Sequence, residues 1–367
     1  DSPDFCAAKM GLSPSQSRTK NVCCSAADAA DARRIADRLK IPFYVLNFED
    51  PFERIIDHFV HQYLAGRTPN PCILCNTWLK FGKLLEYADG IDARFVATGH
   101  YARLVWLEAT QPGATQPGAT GVSPVLQESH GQNARGTPVL QESHGQDARG
   151  TPALCRGVDK TKDQAYVLFG IDRRVLPRVM FPLGQRRKEE IRRIAAELGF
   201  DVAQKRDSQE ICFVPDGDHA RFIRRRRPDL KTDGQLVTTD GTVVGQHDGF
   251  ERFTVGQRKG LGVAMGEPYY VVRIEPLTRR VVLGSHEELA RRQLTADEAN
   301  WLIEPPTEPF RAAVKIRYRS RAVDATVTPL PDSRFHVAFD EPRHGVAPGQ
   351  AAVCFSGDRV LGGGWIE

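Results

Sequence analysis

Thr68-Pro69-Asn70-Pro71-Cys72-Ile73-Leu74-Cys75-Asn76 is the stretch on which the reading of this chain turns. Two prolines fix φ on the way in, so the backbone entering the cysteine pair is stiff. Apolar residues at helical spacing stand on both sides. Phe52, Ile55, Ile56, Phe59 and Tyr63 precede it, with a stop near Gly66, and Leu79, Leu84 and Leu85 follow. Further upstream, Ser25-Ala26-Ala27-Asp28 fits a capping box for a helix with Ala32, Ile35, Ala36 and Leu39 on one face. Residues 41–48 are a short apolar run, read as a buried strand, and 94–98 form a strand running into Gly99-His100-Tyr101. Helix, strand, helix, helix, strand is an α/β order with a mainly parallel sheet. Ligands of such sheets bind beyond the carboxyl ends of strands, where Gly99 and His100 stand.

Past residue 107 the character changes. Ala109-Thr110-Gln111-Pro112-Gly113 is repeated at 114–118, and residues 125–138 recur at 139–152 with Asn133 replaced by Asp147. Rich in Gly, Pro, Gln and Ser, this tandem has few side chains to bury, so 107–155 is expected to be a surface insertion rather than a solenoid. His130 and His144 are copies of one another, which argues against a metal role. Helical pattern returns at 189–198 with Gly199 as its cap, and residues 201–203 read as a short strand leading towards Cys212. Beyond Asp218 the period shifts to two. A hairpin over 235–244 turns at Asp240-Gly241, strands follow at 269–274 and 280–283, and alternation such as Ala312-Val314-Ile316 and Phe335-Val337-Phe339 suggests a closed antiparallel barrel. The expected organisation is an α/β catalytic domain over 1–218, a small β-rich domain over 219–290 and a barrel over 291–367.

At 367 residues the chain is long enough for two or three domains. With 41% hydrophobic residues, and no apolar run near the roughly 18 residues a span needs, no membrane segment is expected. The first ten residues show no secretory leader, and eight cysteines are too few for a disulfide scaffold, so a cytoplasmic location is expected. Net charge is only +4, but arginine is dense at 224–227, at Arg186-Arg187-Lys188, and at Arg317 and Arg319. Such clusters permit nucleic-acid contact and equally suit a solvated surface.

By itself a C-x-x-C can be half a metal site, a dithiol couple, or a nucleophile with an incidental neighbour. Structural zinc needs four ligands, which Cys23 and Cys24 could complete. A thioredoxin-like couple expects a strand before it and a helix after; here a helix comes before, and Pro71 precedes the cysteines rather than separating them. Cys155 and Cys354 fit ordinary buried thiols, whereas Cys75 and Cys212 are read as lying in polar, turn-rich loops. In a fourth reading these two act together, one carrying sulfur and the other resolving it. Sulfur leaving a persulfide leaves behind a thiolate that a second cysteine can attack or pair with.

Longer motifs point one way. TPNPCILCN at 68–76, ATGHYAR at 97–103, KDQAYVLF at 162–169, FPLG at 181–184 and DSQEICF at 207–213 resemble the MnmA family of tRNA-specific 2-thiouridylases. So do FTVGQRKGLG at 253–262, PYYVV at 268–272, KIRYR at 315–319 and APGQAAV at 347–353. The resemblance runs in order through almost the whole chain outside the repeat. It implies a HUP-like α/β domain and ATP-dependent adenylation of the wobble uridine C2 oxygen in lysine, glutamate and glutamine tRNAs. Sulfur would then arrive from a relay protein or cysteine desulfurase. Cys75 and Cys212 would be the catalytic thiols, with the persulfide on Cys212 and a transient disulfide between the two. Asn70, Pro71 and Cys72 would meet the target base, although the family often has Asp at the Cys72 position. Gly99 would touch the nucleotide, with Mg²⁺ accompanying ATP. His100, Lys162, Asp163, Gln164, Arg317, Tyr318 and Gln350 would contact tRNA. No protein metal centre is read.

The family opens on a strand and an SGGVDSS phosphate loop that does not stand in these 367 residues. The chain therefore reads as entered partway through a domain and is expected not to adenylate RNA as it stands. The alternative is an inactive, enzyme-derived tRNA-binding protein.

Overall fold

The computed structural model describes residues 26–108, 150–200 and 211–367. The Ser25 end of the capping box, Cys23 and Cys24, most of the tandem repeat, the expected strand at 201–203 and the first four residues of DSQEICF lie outside the described residues.

The first layer is helical. Helix α1 (Ala26–Leu39) buries Ala36, whereas Ala32 and Leu39 of its expected face are exposed. Helix α2 (Glu49–Leu64) turns Ile55, Ile56, Phe59, Val60 and Tyr63 inward, as its stripe predicts. It stops where Gly66 adopts φ +72°, a left-handed conformation that glycine takes without steric cost. Residues 41–48 are a correction. They form no strand, and Ile41, Tyr44 and Val45 are 54%, 68% and 68% exposed. An apolar run becomes a strand only beside a partner that takes its ladder bonds, and among the described residues none does.

The cysteine stretch is a second correction, because it is not a loop. Asn70 is the N-cap and Pro71 the first residue of α3 (Pro71–Leu74), where a missing N–H costs nothing. The helix continues without a break into a π-helical segment (Cys75–Lys83) and then α4 (Leu84–Gly90). Proline at the start of a helix reads in sequence much like proline in a turn, which is why the loop reading arose.

Strand β1 (Val96–Ala97) pairs in parallel with β4 (Val179–Met180) and ends just before Gly99. Strands β2 (Ala102–Glu108) and β3 (Gly150–Arg156) form an antiparallel hairpin, so both ends of the expected insertion are regular strand. Helix α5 (Lys188–Glu197) closes with Gly199 at φ +71°, its N–H donating to the Ala196 carbonyl and that of Phe200 to Ala195. After α6 (His219–Arg226) comes the central sheet, in the order β6 (Val243–His247), β5 (Gly234–Thr238), β8 (Arg280–Gly284), β7 (Tyr270–Glu275).

The last strands are β9 (Ala290–Trp301), β10 (Phe310–Lys315), β11 (Val323–Leu330), β12 (Arg334–His344), β13 (Ala351–Ser356) and β14 (Arg359–Ile366). They run in the order β13-β10-β11-β12-β9-β14 and close through β13–β14. Ala312, Val314, Ala325, Val327, Phe335, Val337 and Phe339 fill the barrel, the alternation that period two demands. Hairpin β2–β3 continues the same sheet beyond β14.

One core crosses from the helices to the barrel. Ile73, Phe81 and Leu85 meet Tyr166, Leu168 and Phe169, and these meet Val353, Phe355 and Val360. Strand β13 is therefore covered on both faces and reads as an unbroken apolar run.

Candidate active site and nucleic-acid interface

The cysteine helix is held at several points. Asn76 Nδ2 donates to the Val167 carbonyl at 2.9 Å, and Thr77 Oγ1 to the Ile73 carbonyl at 3.0 Å. Gly170 lies so close that a Cβ there would sit 2.4 Å from Thr77 Oγ1. On the upstream side, the Thr68 N–H donates to the Pro348 carbonyl at 2.7 Å and Gln350 Nε2 donates to the Thr68 carbonyl at 2.8 Å. Cys72 is exposed, near enough to Tyr318 to help raise its hydroxyl pKa, an effect led by burial. Cys75 is half-buried against the cluster of Ile55, Leu74 and Leu79. π-Helical register is uncommon and recurs at functional sites, and here it begins at Cys75 itself.

Cys212 is half-buried beside Phe213, whose ring packs edge-on against Phe52 at 5.9 Å and Phe59 at 5.0 Å. Phe52 belongs to this cluster and to the one that holds Cys75. Phe52 thus packs in the clusters of both expected catalytic thiols. Cys155 and Cys354 differ, as expected: both are buried, and burial pushes the Cys354 thiol up to about 12.

A cleft of about 1900 Å³ collects Gly99, Lys162, Asp163, Gln164, Arg317, Tyr318 and Gln350, residues far apart in sequence. Arg156, Lys160, Lys188, Lys315, Arg319 and Arg321 also line it, so cations outnumber the two acids, Asp163 and Asp324. Asp163 and Gln164 are held by the backbone they cap. Asp163 Oδ1 accepts from the Gly157 and Ala165 N–H groups at 3.1 Å each, and Gln164 Oε1 accepts from the Tyr101 N–H at 2.9 Å. Arg317 donates to the Val255 carbonyl at 2.6 Å, tying the barrel to the central domain. Lys315 lies 5.5 Å from the Tyr166 ring centroid and 5.6 Å from that of Tyr318, and burial lowers its pKa. Sequence reasoning missed Arg156, Lys160 and Arg321 as lining residues; Lys188 had a signal in the Arg186-Arg187-Lys188 cluster, and Lys315 in KIRYR, which it opens.

His100 is the exception among the expected RNA contacts. It is 5% exposed, packed by Phe81 and Phe181, and does not line the cleft. Burial, helped by Lys80, holds its pKa down at about 3, so the ring is neutral. With the Lys80 ammonium donating to Nε2 at 3.4 Å, the ring proton stays on Nδ1 and donates to Thr98 Oγ1 at 2.7 Å. In this conformation His100 supports the turn after β1 rather than touching a polynucleotide.

Gly99 needs no glycine for packing, since an added Cβ would meet only Leu183 Cδ1 at an ordinary 3.6 Å. Bare backbone at a strand's carboxyl end, opening on a basic cleft, fits a nucleotide. Among the described residues no three His, Cys, Asp or Glu side chains gather to hold a metal ion.

Comparison with known proteins gives a consistent result. A model for the tRNA methyl transferase HUP domain matches residues 5–122 and 125–216. The tRNA methyl transferase PRC-barrel domain matches 220–285, and the aminomethyltransferase beta-barrel domain 291–366. The chain is 49% identical over 353 residues to the tRNA-specific 2-thiouridylase MnmA of Rhodopirellula baltica, covering 95% of this chain and 78% of that protein. It is 44% identical to the protein of that name from Solibacter usitatus, covering 95% and 86%, and 43% identical to that from Geotalea uraniireducens, covering 95% and 82%.

Proposed function

The chain belongs to the tRNA-specific 2-thiouridylase family, and from that premise we propose that it converts the wobble uridine of tRNA to 2-thiouridine. The observation that carries the proposal is spatial. A basic cleft built from all three regions of the chain adjoins a helix start bearing Cys72 and Cys75, and Phe52 packs in the clusters of both Cys75 and Cys212. Lysine, glutamate and glutamine tRNAs are the substrates we infer, with a relay protein or desulfurase as sulfur donor and the cytoplasm as the place of action. Among the described residues no helix is long and apolar enough to cross a membrane. The division into units at 1–218, 219–290 and 291–367 is part of the same reading.

Uracil C2 is a poor electrophile, and ATP supplies the adenylyl group that turns its oxygen into a leaving group. Gly99 offers the backbone approach for that nucleotide. The cleft's lysines and arginines hold the RNA by its phosphates, while Asn70, Pro71 and exposed Cys72 form the wall met by a flipped-out base. Cys212 carries the incoming sulfur as a persulfide. The Cys75 thiolate attacks Sγ of Cys212, a disulfide forms between them, and hydrosulfide departs with the electron pair of the broken S–S bond. It adds to C2, and AMP leaves with the oxygen.

The test supplies a complete version of the protein, carrying the family's phosphate loop, with unmodified lysine tRNA, ATP and an isotopically labelled sulfur donor, then maps persulfide by mass spectrometry. Label on Cys212 is expected, with loss of 2-thiouridine beyond about a hundredfold in Cys212→Ser and in Cys75→Ser. Full thiolation by Cys212→Ser, or label found only on Cys72, would sink the assignment.

A further inference from the structure

We propose that Gln350, with the Pro348-Gly349 turn beside it, is a positioning element through which the barrel sets the placement of Cys72 and Cys75. Thr68 lies at the mouth of the cysteine stretch, and the barrel takes both of its backbone groups. Its N–H donates to the Pro348 carbonyl at 2.7 Å, and its carbonyl accepts from Gln350 Nε2 at 2.8 Å. The turn making these contacts is anchored in its own sheet. The Gly349 N–H donates to the Ile366 carbonyl and the Ile366 N–H to the Gln350 carbonyl, each at 2.8 Å. Gly349 has φ +83°, and a Cβ there would come within 2.9 Å of Arg67 Cβ and 3.1 Å of the Thr68 nitrogen. Two backbones therefore meet where no side chain fits.

What happens at Thr68 is passed on. Pro69 and Pro71 fix φ between it and the helix start, so the short connection cannot absorb a displacement by turning about those bonds. Downstream, Asn76 fixes the same turn to the Val167 carbonyl. The reactive turn is thus gripped from two directions, and the upstream grip comes from a different domain. Gln350 also lines the cleft, so a polynucleotide engaging its amide there competes with the Thr68 carbonyl. One side chain then links RNA arrival to thiol placement. The inference rests on reading Cys75 as a reacting thiol, but its test does not need turnover.

Gln350→Met removes the donor at nearly constant length, and Gly349→Ala forces the two backbones apart. In each, the RNA-free chain is treated with iodoacetamide and the alkylation rate of every cysteine is read by peptide mass spectrometry. Cys75 is expected to react at least about threefold faster than in the parent, the scale of one lost hydrogen bond. Cys212 should stay within about twofold, and buried Cys155 and Cys354 should stay unreactive, reporting an intact fold. An unchanged Cys75 rate in both variants overturns the proposal. So does a parallel rise at Cys155 and Cys354, which means general loosening. If Gln350 serves RNA contact alone, Gln350→Met raises KM for tRNA and leaves the RNA-free alkylation pattern as it was, which also overturns it. A shifted Cys75 rate together with full thiolation by Cys75→Ser upholds the clamp and removes the sulfur-transfer role instead.

Discussion

Two basic regions of this molecule have opposite fates. The run Arg224 to Arg227 is the densest positive charge in the sequence, yet much of it is turned to carboxylates. Arg224 donates to Glu251 at 2.6 Å and reaches Asp248, whose carboxyl is held down at about 2 by Arg224 and Arg252. Arg226 bonds Glu53 and Asp57 of α2, and Arg227 bonds Asp229. The cleft's cations come from residues scattered between 156 and 321 and outnumber its lining acids, Asp163 and Asp324, although Lys160 also pairs with Asp358 at 2.6 Å. Positive potential follows the spatial ratio of cations to acids, not their density along the chain. The run is a clamp between α2, α6 and the central domain; the cleft has the excess of cations that the proposed RNA site requires.

The largest test of that contrast is Arg224→Ala. Glu251 is 1% exposed and would be left as a buried charge, one oxygen of which already lacks a partner. Urea denaturation should show a loss on the order of 3 kcal/mol, towards the low end for a broken buried pair because Arg224 itself reaches solvent. Affinity for tRNA should be unchanged in the surviving folded fraction; a stability loss below about 1 kcal/mol breaks the comparison.

Next is His100, a basic residue beside the cleft that adds no charge to it. Its folded pKa of about 3 lies below the unfolded value near 6.5, so the fold favours the neutral ring. Stability from this group is complete above about pH 6.5 and falls as pH drops towards 3, by up to about 1.4 kcal/mol per pH unit. His100→Asn should flatten that limb of the stability-versus-pH curve. Parallel curves for the two proteins would mean the ring is charged after all.

A smaller effect is expected from Lys315→Met. Removing one cleft cation should weaken tRNA binding roughly threefold to tenfold at physiological salt and lower the slope of log affinity against log salt by about one contact. Filter binding across a salt series measures both, and an unchanged slope argues against the cleft. The smallest is Arg227→Ala, whose solvent-screened surface pair with Asp229 should leave both the urea midpoint and the salt slope unchanged. A slope change here would restore the arginine run as an RNA contact.

Much of this was legible in the chain. Apolar period two in 312–316 and 335–339 required a sheet with one face buried, and closure into a barrel followed. The stripe of Phe52, Ile55, Ile56, Phe59 and Tyr63 specified α2, because spacing alone decides which side chains share a helical face. Long motifs carried the family, from which the proposed roles of Cys75 and Cys212 are taken, since residue identity at fixed spacing survives without knowledge of the fold. What spacing cannot show is which distant groups meet. Residues 41–48 had the composition of a strand but pair with nothing among the described residues, and strand formation is a property of pairs. His100 had the composition of a contact residue but is buried by Phe81 and Phe181, neither adjacent in sequence. Tertiary packing alone matched Arg224 with Glu251, put Phe52 in the clusters that hold Cys75 and Cys212 and brought Gln350 to Thr68. Hydrogen bonds and ion pairs act over a few ångströms of space, whatever the length of chain between the partners.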